Sequence, residues 1–406
     1  LLLTFILTTG NDVPEPEHIS ILGKINAADF LAEYWQKKPL LIRSAIPNYI
    51  SPISADELAG LACSEDVESR IVLEKDGASP WELRHGPFDE NTFAHLPESH
   101  WTLLVQECNK HVPDLAVFLD RFNFIPNWRV DDVMVSYATP QGSVGPHVDQ
   151  YDVFLLQGMG QRRWQINSNR TEHLDFLPDT DLRILEQFEA EQEWVLEPGD
   201  MLYLPPGVAH YGVALDDCLT LSVGFRAPDH HQLLTHFAEE QFSSITDPFL
   251  IPRYQDPDLT VTENNGEITA SALEKVIDTI QSYSGNTENI KRWFGRFITE
   301  PKNDTDEFSR TDPYSAEQLR EILTSQNIVC RSEYARFSFI KNPNDTSYLY
   351  VNGHEYLLEN NAQSFAPALC NQRRINSRKM LSFVNSPECE KLAVKFFNEG
   401  YLYFEE

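Results

Sequence analysis

The chain of 406 residues has a 41% hydrophobic content, enough for two or three domains with cores of their own. Its 62 acidic residues outnumber 32 basic ones, so the formal net charge is −30. This charge repels a phosphate backbone and attracts a basic polypeptide, and we therefore expect no direct nucleic-acid binding. Acidity that serves solubility alone is the alternative.

The cysteines and the N-terminus indicate the compartment. Six cysteines are scattered without a CxxC pair, which is typical of reduced thiols and favours a cytoplasmic protein. The apolar start, Leu1 to Thr9, has no basic flank and is shorter than the roughly 20 residues that span a bilayer. We expect no membrane association and a flexible tail over residues 1–18.

The N-terminal part of the chain is predicted to be mainly helical. Asn26 is a suitable N-cap for a short helix, and Lys38–Ile42 has the pattern of a strand. Two further helices are predicted over Ala55–Cys63 and Trp101–Phe122.

The period changes to two between Asp132 and Arg226, with turn signals at 140–142, 158–160 and 198–199. Alternate residues of a strand share a face, so each predicted strand has a polar face and an apolar face. A small barrel whose apolar outer face packs against helices would bring the polar faces together in one pocket. The residues on these polar faces are Asp132, Met134 and Ser136; His147, Asp149 and Tyr151; and Thr220 and Ser222.

A metal site is predicted within this pocket. His147 and Asp149 are two residues apart, and the run EPGDMLYLPPGVAH (197–210) delivers His210 from a later strand. Two histidines and one carboxylate are the ligand set of a non-haem Fe(II) oxygenase, with positions left open for a co-substrate and oxygen. The alternative is a pair of unrelated, half-buried histidines.

Arg162 is predicted to point inward in a row with Trp164 and Ile166. A buried guanidinium requires an anionic partner, and a carboxylate matches it best. That partner is either a dicarboxylate co-substrate such as 2-oxoglutarate or a carboxylate of the protein. Arg163, on the opposite face, is expected to be solvated.

Helical patterns return after Pro228. An apolar stripe at helical spacing serves either as intramolecular core or as a dimer contact, and its members are Ile290, Trp293, Phe294, Phe297 and Ile298. A polar linker, Pro301 to Pro313, precedes a capping box at Ser315–Gln318. The hairpin-like pair Arg336–Lys341 and Tyr348–Val351 then suggests a small α+β or winged-helix-like domain.

Four segments resemble the JmjC-domain ribosomal oxygenases, and they are EYWQKKPL (33–40), GPHVDQYDVF (145–154), GQRRW (160–164) and PPGVAH (205–210). More narrowly they resemble the bacterial branch, which hydroxylates an arginine at C3 in a large-subunit ribosomal protein. The resemblance covers the chain from about Ile19 to the C-terminus. It implies an α+β protein with a double-stranded β-helix core of the cupin type and flanking helices. The implied domains are catalytic (19–230), helical and dimerising (231–300) and winged-helix-like (301–406).

The resemblance also implies roles for individual residues. Fe(II) would be held by His147, Asp149 and His210, and 2-oxoglutarate by Arg162; O2 is the other co-substrate. Asp132 would receive the substrate guanidinium, Tyr151 and Met134 would flank it, and Ser222 would lie nearby. Ala138 departs from the family pattern, because relatives tend to have a hydroxyl there that helps to hold 2-oxoglutarate; Ser136, Thr139 or water would replace it.

The expected partners are a basic ribosomal protein as substrate and a second copy of the chain. Other JmjC activities, histidine hydroxylation or methyl-lysine demethylation, are alternatives. A further alternative is a metal-binding cupin without turnover that acts as a binding module.

Overall fold

The computed structural model describes residues 20–74, 81–169, 174–178, 180–261, 266–302 and 308–405. The expected tail, residues 1–18, lies outside them. The chain divides into two compact units, one ending at Arg226 and one beginning at Ala227. Among the described residues, no helix has the length and apolar character needed to cross a membrane.

The first unit is built mainly of strands. Its helices are α1 (Ala27–Glu33), α2 (Ala55–Leu61), α3 (Glu90–Ala94) and α4 (Pro113–Leu119). Its strands are β1 (Leu40–Ile42), β2 (Ser69–Glu74), β3 (Trp81–His85), β4 (Trp101–Val105), β5 (Val130–Ala138), β6 (His147–Val148), β7 (Asp152–Met159), β8 (Arg162–Asn167), β9 (Gln192–Leu196), β10 (Met201–Leu204), β11 (Ala209–Ala214) and β12 (Cys218–Phe225).

These strands form two antiparallel sheets in the described part of the unit. The larger has the order β1-β10-β7-β12-β5-β4-β2-β3, and the smaller has the order β6-β11-β8-β9. Apolar residues of both, such as Leu155 and Trp164, share one buried cluster, so the sheets face each other. The far side of the larger sheet packs against the helices through a second cluster that includes Phe30 and Phe154. This sandwich confirms the predicted double-stranded β-helix core.

The N-terminal helix predictions were partly correct. Asn26 caps α1 by accepting a hydrogen bond from the amide of Asp29, and α2 covers most of its predicted range. The helix expected over Trp101–Phe122 is correct only at Pro113–Leu119, which forms α4; its first five residues form β4, which is buried throughout. Such a short apolar run has no polar face to reveal its period, and strand and helix cannot be distinguished from it.

The second unit has seven helices among its described residues, which are α5 (His230–Phe242), α6 (Ala270–Ser284), α7 (Thr287–Thr299), α8 (Ala316–Ser325), α9 (Phe365–Asn371), α10 (Ser377–Phe383) and α11 (Pro387–Asn398). Its strands are β13 (Ile328–Arg331), β14 (Phe337–Lys341), β15 (Thr346–Val351), β16 (His354–Glu359), β17 (Arg374–Asn376) and β18 (Leu402–Phe404). The predicted capping box at Ser315 is present, and β14 and β15 pair as the expected hairpin.

The apolar stripe of α7 lies largely inside this unit. Trp293 and Ile298 are buried, and the Trp293 ring packs against Phe237 of α5 and stacks on Phe297. Gly295 lies so close to Tyr350 of β15 that an added Cβ would come within 2.2 Å of its ring. For Trp293 and Ile298 the structure therefore favours the intramolecular alternative.

Candidate functional site

Three side chains that could hold a metal ion meet between the ends of β6 and β11. One ligand atom from each of His147, Asp149 and His210 lies within 4.8 Å of the others. His147 and His210 are directly paired in register, and Nε2 of His210 is 3.7 Å from the Asp149 carboxylate. We call these three residues the triad.

The backbone orients both imidazoles. Nδ1 of His147 is 2.9 Å from the Gly145 carbonyl, and Nδ1 of His210 is 3.0 Å from the Val208 carbonyl. A proton on each Nδ1 satisfies these contacts and leaves each Nε2 lone pair for a metal, the usual arrangement around a ligating histidine. Each carbonyl belongs to the residue two positions before its histidine, so the local turn itself sets the ring orientation.

The turns before each histidine depend on glycine. Gly145 has φ +81°, and an added Cβ would come within 2.9 Å of Ile184. Gly207 has φ +84°, and its amide donates to the carbonyl of Asp149 over 2.8 Å. This hydrogen bond joins the two segments that carry the triad.

His210 is 2% exposed, and burial and the neighbouring His147 lower its pKa to about 4. The nearby Asp149 acts in the opposite direction but does not outweigh them. His210 is therefore neutral at pH 7, which is the form that binds a metal.

Arg162 is buried without an ion-pair partner among the described residues. It is 5% exposed, and its Nε and Nη2 have no hydrogen-bond partner there. Its guanidinium lies 5.7 Å from the Trp164 ring, which in turn lies 5.9 Å from the His210 ring. A buried guanidinium requires an anionic partner. Arg162, Trp164 and His210 form a row of side chains that ends at the triad. Arg163 is on the outer face, as expected, with Glu193 3.6 Å away.

A buried polar row crosses the larger sheet opposite these residues. Ser136, Thr220 and Gln157 are register partners on β5, β12 and β7, and all three are buried. The Thr220 hydroxyl donates to Gln157 over 3.3 Å. Sequence reasoning selected Ser136 and placed Thr220 on a polar face, but it missed Gln157.

Thr102 is a second residue that sequence reasoning missed. It pairs with Ala138, and its buried hydroxyl has no hydrogen-bond partner among the described residues. The Thr102 hydroxyl therefore lies one strand away from Ala138, the position where relatives tend to have a hydroxyl. Thr102 was missed because it lay in the helix predicted over Trp101–Phe122. Assigning β4 as a strand would have placed Thr102 on the inner face.

We call Asp132, Met134, Tyr151 and Ser222, the four residues predicted to bind the substrate, the outer end of the predicted pocket. Met134 and Ser222 are register partners, and Asp132 follows on the same face of β5. Asp132 is buried and accepts a hydrogen bond from the amide of Glu107 over 2.9 Å. Tyr151 is 44% exposed, and partial burial and the nearby Asp149 and Asp132 raise the pKa of its phenol, which therefore stays neutral.

Family models match both units. The model for the JmjC domain matches residues 117–233, and the model for the ROXA-like winged helix matches residues 278–403. The first range includes every residue of the triad.

Individual relatives extend the match to nearly the whole chain. The ribosomal protein uL16 3-hydroxylase of Escherichia coli is 33% identical over 387 residues, which is 94% of this chain and 98% of that protein. A probable ribosomal oxygenase of Haemophilus influenzae is 41% identical over 64% of this chain and 60% of its own length.

Solved structures also match this chain over nearly its whole length. The crystal structure of E. coli YcfD superposes with a TM-score of 0.84 at 33% identity, covering 94% of this chain and 99% of that chain. A structure of YcfD with cobalt and 2-oxoglutarate matches with a TM-score of 0.80. The chain therefore belongs to the JmjC-domain ribosomal oxygenases, which depend on Fe(II) and 2-oxoglutarate.

Proposed function

We propose that this enzyme hydroxylates C3 of an arginine in a protein of the large ribosomal subunit, the counterpart of uL16. The observation that carries the proposal is a buried carboxylate, Asp132, beside an accessible aromatic ring, Tyr151, at the outer end of a pocket whose inner part holds a metal triad. A planar cation with five N–H donors fits a carboxylate and an aromatic face. The E. coli uL16 3-hydroxylase, similar along nearly its whole length, gives the same reaction class.

The inner part of the pocket fits the cofactors. We assign Fe(II) to His147, Asp149 and His210, and the distal carboxylate of 2-oxoglutarate to Arg162, whose buried Nε and Nη2 lack partners. Ser136 is the proposed second anchor. When bound, Fe(II), 2-oxoglutarate and O2 supply the oxidising chemistry that yields succinate, CO2 and a hydroxylated side chain.

The protein's own residues position the substrate. Asp132 and Tyr151 would hold the terminal guanidinium, with Met134 and Ser222 beside it, so that the methylene part of the side chain extends toward the triad. The neutral Tyr151 phenol provides the flat face without adding a negative charge. A methylammonium or an imidazole would use only part of this site, which disfavours lysine demethylation and histidine hydroxylation.

The net charge of −30 supports a basic ribosomal protein as the substrate. We place the reaction in the cytoplasm, where ribosomal proteins are assembled, and propose no direct binding of nucleic acid and no membrane association.

We propose a homodimer that is formed through α6. Its apolar residues are exposed and lie at i, i+3, i+4 and i+7, and they are Leu273, Val276, Ile277 and Ile280. A contiguous exposed stripe of this kind is typical of an interface. Ile277→Glu should convert a dimer into a monomer in light scattering at micromolar concentration, whereas Ser282→Glu, on the opposite face of α6, should not. A monomeric unmodified protein would contradict this part of the proposal.

The function is tested by mass spectrometry of ribosomal proteins from cells with and without the gene. We expect one ribosomal protein to gain one oxygen atom on an arginine only when the gene is present. Modification of a histidine, or loss of methyl groups from a lysine, would assign the enzyme to another branch of the family.

A further inference from the structure

Gly224 has an unusual position on the inner face of β12. This face presents Thr220, Ser222 and Gly224 in turn, and Gly224 is nearest the outer end of the pocket. A Cβ built on Gly224 would lie 3.6 Å from Oδ1 of Asp132 and 4.0 Å from Cε2 of Tyr151, with no other described atom within 4 Å outside Gly224 and its two chain neighbours. The space above Gly224 is therefore bounded by the carboxylate and the ring.

Neither backbone conformation nor packing explains this glycine. Its φ is outside the left-handed region, and an added Cβ would make only ordinary van der Waals contacts. Gly212 of β11 is different, because its Cβ would come within 2.7 Å of Trp164. Gly212 is required by the core, whereas the space at Gly224 is not filled by the described protein.

A β-bulge turns Asp132 toward this space. Val223 pairs with Val133 and Phe225 with Val130, so two residues of β5, Asp131 and Asp132, lie opposite Gly224 alone. Bulges are common beside active sites, where they redirect a side chain. Here the bulge lies opposite Gly224, the one residue of β12 that has no side chain.

The segment before β5 holds the bulge in place. The amide of Glu107 donates to Oδ2 of Asp132 over 2.9 Å, and Oδ1 of Asn109 accepts from the amide of Val133 over 2.8 Å. With Oδ2 held in this way, Oδ1 is the oxygen that faces Gly224. The carboxylate is thus fixed before any substrate arrives.

We propose that Gly224 determines the size of the target side chain: its missing Cβ leaves room for a planar guanidinium to bind edge-on to Asp132 and against the Tyr151 ring. The proposal rests on the proposed arginine substrate and adds a specificity-determining residue to it. A methyl group at Gly224 would project between the two recognition groups and occupy part of the guanidinium's place.

The test measures binding of two peptides by wild-type and Gly224→Ala enzyme. One peptide carries the target arginine, and the other carries alanine at that position. The arginine peptide should bind Gly224→Ala at least roughly tenfold more weakly, since overpacking of this size is costly, while the alanine peptide binds unchanged. Affinity for 2-oxoglutarate and Mn(II) should stay within about twofold of wild type, because the triad and Arg162 are not touched. The matched control is Gly60→Ala on α2, because the methyl group that it adds would have no described atom within 4 Å.

The outcomes separate this inference from the proposed function. If wild-type enzyme does not hydroxylate the arginine peptide, the proposed function is wrong. If it does, and Gly224→Ala binds that peptide normally or loses equal affinity for both peptides, the role of Gly224 is wrong while the function stands.

Discussion

The inner and outer ends of the pocket are built in different ways. At the inner end Arg162, Gln157, Thr220 and Ser136 are all buried within strands. At the outer end Asp132 lies in a bulge, and Tyr151 is half exposed in the loop between β6 and β7. We infer from this difference in exposure that the enclosed end binds the cofactors, while the accessible end selects the substrate.

The largest effect is expected from the triad. Asp149→Ala should abolish turnover and weaken Mn(II) or Co(II) binding by two orders of magnitude or more, because only two of three protein ligands remain. Titration calorimetry measures the metal affinity. The fold should persist, since Asp149 is outside the apolar clusters, and His85→Ala, an exposed histidine of β3, should bind metal normally. Normal iron-dependent activity in Asp149→Ala would contradict the assignment.

Removal of Arg162 should have the next largest effect. Arg162→Ala should reduce 2-oxoglutarate affinity by roughly 30-fold or more, because a desolvated charge pair typically contributes about 2–5 kcal/mol. Metal binding without co-substrate should be nearly unchanged. The control is Arg163→Ala, its sequence neighbour on the exposed face. Equal 2-oxoglutarate affinity in the two variants would mean that Arg162 does not bind the co-substrate.

At the outer end, Asp132→Ala should separate the two half-reactions, which are hydroxylation of the peptide and conversion of 2-oxoglutarate to succinate. Peptide hydroxylation should decrease by roughly 30-fold or more through loss of a charge-assisted pair, while uncoupled succinate formation continues. Substituting lysine for the target arginine should be nearly as harmful, because an ammonium lacks the planar fork. Asp131→Ala, at the other bulge position, is the control; a similar loss in that variant would indicate a disturbed bulge rather than a lost guanidinium contact.

The smallest effect is expected for Ser136→Ala. One hydrogen bond contributes about 0.5–1.5 kcal/mol, so 2-oxoglutarate affinity should decrease by roughly two- to tenfold. Tyr137→Phe, the next residue on the outer face of β5, should have no effect on this affinity. A loss as large as that of Arg162→Ala would mean that the inner end depends on its hydroxyl row as much as on its guanidinium.

Strand parity predicts the burial of Arg162 because it operates along β8 without interruption. Arg162, Trp164 and Ile166 alternate on a regular strand, and the structure buries all three. Gln157 and Thr102 were not selected because a polar residue in an apolar strand can be assigned to the pocket only when its register partners on the neighbouring strands are known. The bulge at Asp131 and Asp132 is likewise a property of strand pairing, so the importance of Gly224 appears only in the structure.

The most direct test of the division between the two ends is the ratio of hydroxylated peptide to succinate, measured in the same reaction. Wild-type enzyme should give a ratio near one, Asp132→Ala should form succinate with almost no hydroxylated peptide, and Arg162→Ala should lose both products at a 2-oxoglutarate concentration that saturates the wild type. A constant ratio across all three enzymes would contradict the division, because it would mean that the two ends of the pocket act on both half-reactions together.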